Sequence, residues 1–518
     1  MNFEPLLQTL QVEELFRILW ISYPIIPLIT MMIALALKYL FAKQKIIYAA
    51  GVSLILQILT AAAIILLSRE ISGERYYQLM DSRISITFHY GIEKLYFMGA
   101  LTVPMILALF RLKSLNTPEM YLIFLFYLAG CSGLIVTGDV FNFFVFYELM
   151  IMGAYVLISV KHEYSASVKY MVFGAVSSAI FLGGIVVLYS SGAYFSFSFL
   201  YQIHDYETYP MMIAIYLFCI AFFIKGAFLP VSGWVAPCHS AANSLVSSFL
   251  ASYTIFTGIL GLYYLVILPA EILGADQLLT IIRIISLLTI GAASLIIFFE
   301  REYKRVIAAS TVYTIGIVGL LMSHGLQIPA LWYVLIHAPY KSLLFYMYEE
   351  FEDNDSTIKA SLLLFILFGI ALLYTGGFFP SATSTIKLSL GSVDIAWYKW
   401  FILVTAGILI GGFTKYRFKV RARGIPSAAS ITALLIIIGY SSVYFSSTGF
   451  PLPSWRDMLI EYLVLLAAAG ISRTLYMRVP VLHNVDKKTI YRNLNQELLL
   501  IFVILITVGI WMFFPYAG

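Results

Sequence analysis

Apolar runs close to twenty residues long recur along the chain, at roughly 18–41, 46–67, 95–112, 120–137, 140–160, 167–189, 211–229, 241–265, 278–299, 305–322, 328–348, 361–390, 395–413, 428–446, 458–477 and 497–515. About 20 residues of α-helix cross the ~30 Å of a hydrocarbon core. The pattern therefore predicts an all-α polytopic membrane protein of about 14–16 transmembrane helices.

Two of the runs carry helix-breaking chemistry. Phe228-Leu229-Pro230-Val231-Ser232-Gly233 follows closely on Lys225, and Gly376-Gly377-Phe378-Phe379-Pro380-Ser381 precedes Lys387. Proline removes a backbone donor and glycine weakens a helix, so both segments are expected to unwind. Unwound backbone at membrane depth is tolerated where it is buried in protein or lines a water-filled cavity, and paired breaks in a transporter point to its ion path. The two segments echo one another only loosely, with break and lysine in opposite order. Whether they reflect duplicated halves stays open on the sequence alone.

Composition agrees with the pattern. The chain of 518 residues is 61% hydrophobic and 11% charged, against ~45–50% and ~25% in soluble domains. No large soluble domain fits. Glu4, Glu13 and Glu14 precede the first apolar run without a basic stretch, so no cleavable signal peptide is expected. Cys131, Cys219 and Cys238 show neither a CxxC spacing nor a cluster, and predict no metal site and no disulfide framework. No phosphate-binding glycine loop and no haem or iron–sulfur ligand pattern is present, so no cofactor and no redox centre are expected on this chain.

Loop charges give a sidedness. With both termini outside, the inner loops hold Lys43 and Lys45, Arg111 and Lys113, Lys161, Arg301 to Arg305, Lys415 to Arg423, and Arg478 to Arg492, as the positive-inside rule requires. The exception is the 69–94 loop, which places Arg69, Arg75, Arg83 and Lys94 outside.

The ionisable residues inside the runs are Glu148, Lys225, His239, Arg283, His337, Lys341 and Lys387. A charge at the bilayer centre costs roughly 2.5–3.5 kcal/mol on insertion scales, so such residues usually face a cavity or a partner and mark ion pathways. Buried lysines release protons readily and histidine titrates near neutrality, which makes the set chemically fit for a proton relay. Bland roles stand beside that one. Glu148 and Lys225 could be a structural ion pair, Lys341 could snorkel from a helix end, and His239 and His337 could be hydrogen-bonded core residues. Arg283 reads as structural, because arginine does not release its proton in a protein. The acidic run Glu349 to Asp355 reads as a solvated loop.

Taken together, these segments resemble the antiporter-like subunits shared by respiratory complex I, the membrane-bound hydrogenases and related archaeal complexes, and the Mrp-type cation/proton antiporters. Gly138-Asp139-Val140-Phe141-Asn142-Phe143-Phe144-Val145-Phe146-Tyr147-Glu148 looks like that family's fifth-helix motif, in particular its Mrp D-type branch. Phe223 to Pro230, with Gly233-Trp234 and His239-Ser240, is similar to the broken seventh helix. Lys304 to Ser310 resembles the basic start of a later helix, Ile336 to Phe345 the segment "NHALFKSLLF", and Gly377 to Pro380 with Lys387 the broken twelfth helix.

The resemblance implies an inverted-repeat core over 1–415, with pseudo-repeats at about 115–265 and 280–415. Residues 416–518 would add helices able to dock a neighbouring subunit. It implies an ion pair between Glu148 and Lys225, His337 and Lys341 between the halves, and Lys387 at the exit. The partners implied are other membrane subunits, further antiporter-like subunits and a redox module, in a prokaryotic cell membrane and with no nucleic acid. It leaves three functions open: an H⁺- or Na⁺-moving subunit of a redox-driven complex, a subunit of a stand-alone Mrp-type antiporter, and a non-transporting spacer. This chain departs from the family at Phe256, 31 residues after Lys225, where the family usually has a lysine, at Asn243, where it usually has a proline, and over Trp234-Val235-Ala236-Pro237-Cys238, where an acidic residue is common. Either Tyr253, Thr254, Thr257, His239 and ordered water bridge the gap at Phe256, or part of the input channel is lost.

Overall fold

A computed structural model describes the chain except residues 1–3, 41–44, 80–85, 162–163, 193–194, 199–207, 351, 355–356, 378–380, 393–396, 415–416, 422–426, 449–454 and 479–518. The architecture is an all-α membrane bundle. Among the described residues nine helices are long and apolar enough to cross a membrane, ten if a bent pair counts as one span, and four more apolar helices are shorter. Each expected span from 18 to 477 holds at least one described helix, while residues 41, 378–380 and 395–396 within those spans and the whole of 497–515 lie outside the described residues.

The chain opens with α1 (Glu4–Ser22) and α2 (Ile25–Leu40), bent by 50° at Tyr23-Pro24. The first apolar run was expected to be one helix, but Pro24 supplies no backbone donor there and disfavours helical backbone at Tyr23. Next come α3 (Lys45–Leu67), the hairpin strands β1 (Arg75–Gln78) and β2 (Thr87–Tyr90), and α4 (Ile92–Arg111). The first repeat expected from sequence holds α5 (Pro118–Val136), α6 (Val140–Ile158), α7 (Tyr164–Ser190), α8 (Thr208–Lys225) and α9 (Val235–Ala241). A composite helix follows, made of α10 (Ser244–Phe249), α11 (Phe256–Leu262) and α12 (Leu268–Ile272) joined by π-turns at Leu250–Thr254 and Tyr263–Ile267.

The second holds α13 (Asp276–Phe299), α14 (Tyr303–Ser323), α15 (Gln327–Glu350), α16 (Leu362–Gly376), α17 (Ala382–Leu388) and α18 (Trp397–Thr414). In chain order each set is three helices, a broken helix with its lysine, and one more helix. Strands β3 (Glu352–Asn354), β4 (Thr357–Ser361) and β5 (Arg417–Arg421) form a small sheet, with β4 antiparallel to β3 and parallel to β5. Helix α19 (Ala428–Thr448) packs on α4 and α15, and α20 (Trp455–Arg478) packs on α18.

Burial sorts these helices. α14 is enclosed along its whole spanning length and the composite helix nearly so, while α3, α7 and α19 show much of their apolar surface outwards. Chemistry that must stay dry therefore belongs on α14, α15 and the composite helix.

Loops that the charge pattern assigns to one side meet at the same end of the bundle. At the inner end Arg111 lies 3.8 Å from both Glu349 and Glu350, and Asn243 Nδ2 donates to the Ser114 carbonyl at 3.1 Å. The outer end gathers the β1–β2 hairpin, Thr137 and Tyr264. Two of the four outer cations have partners, and Arg83 lies outside the described residues. Arg75 pairs with Glu13 at 2.8 Å, and Lys94 is buried against the Thr137 carbonyl.

The acidic run at 349–355 is not wholly a solvated loop. Glu349 and Glu350 end α15; Glu349 accepts the Ser244 backbone N–H at the start of α10, and Glu350 accepts the Ser427 N–H and the Ser427 and Ser430 hydroxyls at the start of α19. A helix start leaves its first N–H groups unpaired, and a carboxylate satisfies them and favours the positive end of the helix dipole. Hydrogen bonds to a charged group contribute about 1.5–3 kcal/mol each. Glu350→Ala is accordingly expected to destabilise the purified protein by about 2–3 kcal/mol, read as a lower thermal midpoint, with α19 the first segment to gain hydrogen exchange.

Candidate ion pathway

α8 ends at Lys225 because Ala227 turns into the left-handed region, with φ of 55°, and Pro230 follows. The break leaves backbone groups that must find partners inside the protein. They do so locally. Trp234 Nε1 donates to the Ile224 carbonyl at 3.1 Å, and the Leu229 N–H donates to Thr289 Oγ1 at 3.0 Å.

Lys225 is 3% exposed, and its Nζ donates to Tyr170 Oη of α7 at 2.7 Å. The Tyr170 and Tyr147 rings lie 4.8 and 5.5 Å from the ammonium, close enough for cation–π attraction. Glu148 does not complete an ion pair. Among the described residues no salt bridge joins it to Lys225, although it lies within Coulombic reach. The reason is helical geometry. The buried stripe of α6 runs through Phe143, Tyr147, Met150 and Ala154, and one residue along a helix turns by about 100°. Tyr147 thus takes the place facing Lys225, and Glu148 is half-buried at the edge of the stripe.

At the inner end His239 on α9 is 1% exposed and stacks on Phe345 with ring centres 4.9 Å apart. Its neighbours are ionic. Lys304 of α14 donates to the Ala242 carbonyl, and Ser240 donates to Glu302, which also pairs with Arg305 at 2.7 Å. Asn243, in the expected proline position, caps α10 by accepting the Val246 N–H at 2.9 Å.

On α15, His337 Nδ1 lies 2.9 Å from Tyr340 Oη, and Lys341 donates to Ser310 Oγ and, at 3.1 Å, to the Ile307 carbonyl of α14. Both side chains are fully enclosed. Lys341 lies in the middle of α15, so it does not snorkel from a helix end. Lys387 reaches back across the second break to the Thr375 and Gly376 carbonyls at 3.3 and 3.1 Å, with the Tyr313 ring 5.0 Å away. Beside it is a cavity of about 10 Å³ bounded by Gly377, Ser384 and Lys399, room for at most one water.

Electrostatic coupling links Lys341 to His239, to His337 and to Lys387. Phe256 meets His337 edge-on at 4.9 Å. The hydroxyls expected to bridge that position point elsewhere. Tyr253 donates to the Cys131 carbonyl at 2.8 Å, Thr254 bonds Tyr127, and Thr257 bonds back to the Thr254 carbonyl at 2.7 Å. The π-turn at Leu250–Thr254 sets this register, turning Tyr253 and Thr254 to α5 and Phe256 to α15. Arg283 is structural, donating twice to the Ser323 carbonyl at the end of α14.

The sequence pointed to the lysines and histidines but not to Tyr147, Tyr170, Ser310 or the α16 carbonyls that hold them. Those partners come from other helices, and no local pattern marks them.

This layout can be set against known proteins. A sequence model of the family described as NADH:quinone oxidoreductase/Mrp antiporter, TM, matches residues 137–413. The chain belongs to that family. It is similar to NADH-quinone oxidoreductase subunit N of Desulforudis audaxviator (strain MP104C), 28% identical over 235 residues, covering 44% of this chain and 47% of that protein. It is also similar to the D-type subunit of a Na(+)/H(+) antiporter from Alkalihalophilus pseudofirmus, 27% identical over 238 residues, covering 43% and 47%. The chain thus spans about half the length of the curated relatives it matches.

Among solved structures, a chain of the membrane-bound sulfane sulfur reductase, an archaeal respiratory membrane complex, superposes with a TM-score of 0.74 at 20% identity, covering 88% of this chain and 99% of that one. A chain of the Mrp complex from Dietzia sp. DQ12-45-1b does so with a TM-score of 0.67 at 18% identity, covering 88% and 98%. These likenesses give the fold. Relatives by sequence and by structure are subunits of multisubunit complexes, and this family member is a multi-pass membrane protein.

Proposed function

We propose that this chain is a proton-translocating, antiporter-like membrane subunit of a multisubunit respiratory complex in a prokaryotic cell membrane. Further antiporter-like subunits and a redox module would be its partners, and the redox module would supply the drive. The observation that carries the reading is the set of three buried lysines, Lys225, Lys341 and Lys387, each held by neutral oxygens and aromatic faces. A lysine locked to a carboxylate is pinned in its charged form, whereas one held by hydroxyls and carbonyls can lose and regain a proton without stranding a buried counter-charge. Ammonium groups coupled through a dry core repel one another, so loading one favours release from the next. Such groups carry H⁺; they offer Na⁺ no anionic cage.

The half-buried Glu148 biases Lys225 from a distance. Glu148→Gln in the complex reconstituted into liposomes is expected to slow proton uptake about tenfold, the rate equivalent of about 1.4 kcal/mol, with assembly unchanged. Phe256 against His337 favours one competing reading, a spacer that transports nothing. Proton uptake equal to that of the wild type in a complex carrying Glu148→Gln and Lys225→Ala together would decide for the spacer.

A further inference from the structure

A second buried cluster of titratable groups lies at the outer end, away from the lysine series. Lys94, 1% exposed at the start of α4, donates to the Thr137 carbonyl, with the Tyr264 and Phe197 rings 5.1 and 5.5 Å from its ammonium. The adjacent Glu93, 8% exposed, accepts the Tyr264 hydroxyl at 3.0 Å. Asp139, the cap of α6, accepts the Asn142 and Thr87 N–H groups at 2.6 and 3.0 Å. His89 on β2 is 1% exposed, has its Nε2 3.5 Å from Glu74, stacks on Tyr76, and keeps both ring nitrogens buried without a hydrogen-bond partner among the described residues. With His89 neutral, three carboxylates face one ammonium, so the cluster is a net anion that draws cations from the outer face.

Polar contacts at three levels of α5 and its C-terminal cap lie between this cluster and the interior. Tyr127 bonds Thr254, the Cys131 carbonyl accepts Tyr253, and the Thr137 carbonyl accepts Lys94. Cys131 is within Coulombic reach of Lys225, and Thr137 is six residues, about 9 Å, further along the helix. The helices that bear Glu148 and Phe256 both reach the cluster, α6 at its N-terminal cap Asp139 and the composite helix as it passes Tyr264.

From this arrangement we infer that Lys94, His89, Glu74, Glu93 and Asp139 form an outer proton port for the first repeat, with His89 the group that exchanges protons with the outside. The inference rests on the proton-translocation reading. In this port Lys94, within Coulombic reach of His89, gives up a proton to the imidazole, and the imidazole releases it from Nε2 past the part-exposed Glu74 to outer water, returning to its neutral form. Entry runs the same sequence in reverse. Burial, and then the Lys94 charge, hold His89 down at about 4, so the ring stays neutral while Lys94 is charged. Burial lifts Asp139 to about 6 against the backbone N–H groups that it accepts, which adds a group that changes charge in mildly acid conditions.

The test uses the whole complex in oriented liposomes, with proton flux followed as pH is varied between about 4 and 8, a range that takes in the titration of His89, on one face at a time. His89→Gln and Glu74→Gln are expected to abolish or displace the dependence on outer pH and to leave the dependence on inner pH as in the wild type. Glu74 is 42% exposed, so its variant carries the test if His89→Gln fails to assemble. Outer-pH profiles that match the wild type in the variants that assemble, in a preparation where Lys225→Ala stops flux, would overturn the port and leave translocation standing. Flux that survives Lys225→Ala would instead sink the reading on which the port rests.

Discussion

Replacing Lys341 by methionine is expected to stop proton flux through the reconstituted complex, by at least about a hundredfold, the scale of losing a positioned proton-transfer group. Lys341 is the junction of the proposed series. It is fully enclosed and electrostatically coupled to His239 and His337 on one side and to Lys387 on the other. Methionine keeps the length and the apolar stem, so packing on α14 survives. The Ile307 carbonyl and Ser310 hydroxyl lose their donor, at a cost of about 1–3 kcal/mol, which thermal unfolding would register separately from flux. Lys341→Arg sharpens the test. It keeps the positive charge and the donor to Ser310, but arginine does not release its proton in a protein, so flux should again be lost. Wild-type flux in Lys341→Arg would show that the charge alone matters and would remove Lys341 from any proton relay.

What the sequence disclosed about this site follows from how local each signal is. Both breaks were legible because Pro230 and the glycines at 376–377 act on their own backbone, and a lysine beside an apolar run is conspicuous wherever it ends up. Tyr23-Pro24 carried the same signal and bent the first span by 50°. The facing of Glu148 was not legible. Its distance from Lys225 depends on which side of α6 meets α7 and α8, and the buried stripe awards that side to Tyr147. Glu349 and Glu350 looked like loop residues because their role, closing the starts of α10 and α19, exists only once helices distant in sequence converge. Phe256 was legible as a missing lysine. The π-turn that aims it at His337, and Tyr253 and Thr254 at α5, leaves no mark in the composition of the run.

Lys94 illustrates the reverse case. It stood out as a cation on the wrong side of the positive-inside pattern. Its place in the fold accounts for it, since a buried ammonium held by a carbonyl, two rings and nearby carboxylates is not a loop charge at all.

The other large effect expected is structural, at Gly258, where α11 crosses the first break. A Cβ there would overlap the Gly226 backbone and come within 2.9 Å of the Phe222 carbonyl. Helix propensity alone favours alanine over glycine by about 1 kcal/mol. Here the overlap decides, because the neighbouring atoms are backbone and cannot rotate away, and overpacking of a tight core costs about 1–3 kcal/mol or more. Relief requires moving the turn at Gly226, which is covalently next to Lys225, so the lysine is pulled off Tyr170 as well. Gly258→Ala is therefore expected to lower the thermal midpoint of the purified protein and to cut proton flux in whatever complex assembles. Gly183→Ala on α7 is the matched control, since its added methyl meets nothing within 4 Å and should gain the propensity term alone. Equal stability of the two variants would mean that α11 and the break are further apart than the structure places them, and the close support of Lys225 by the composite helix would fall with it.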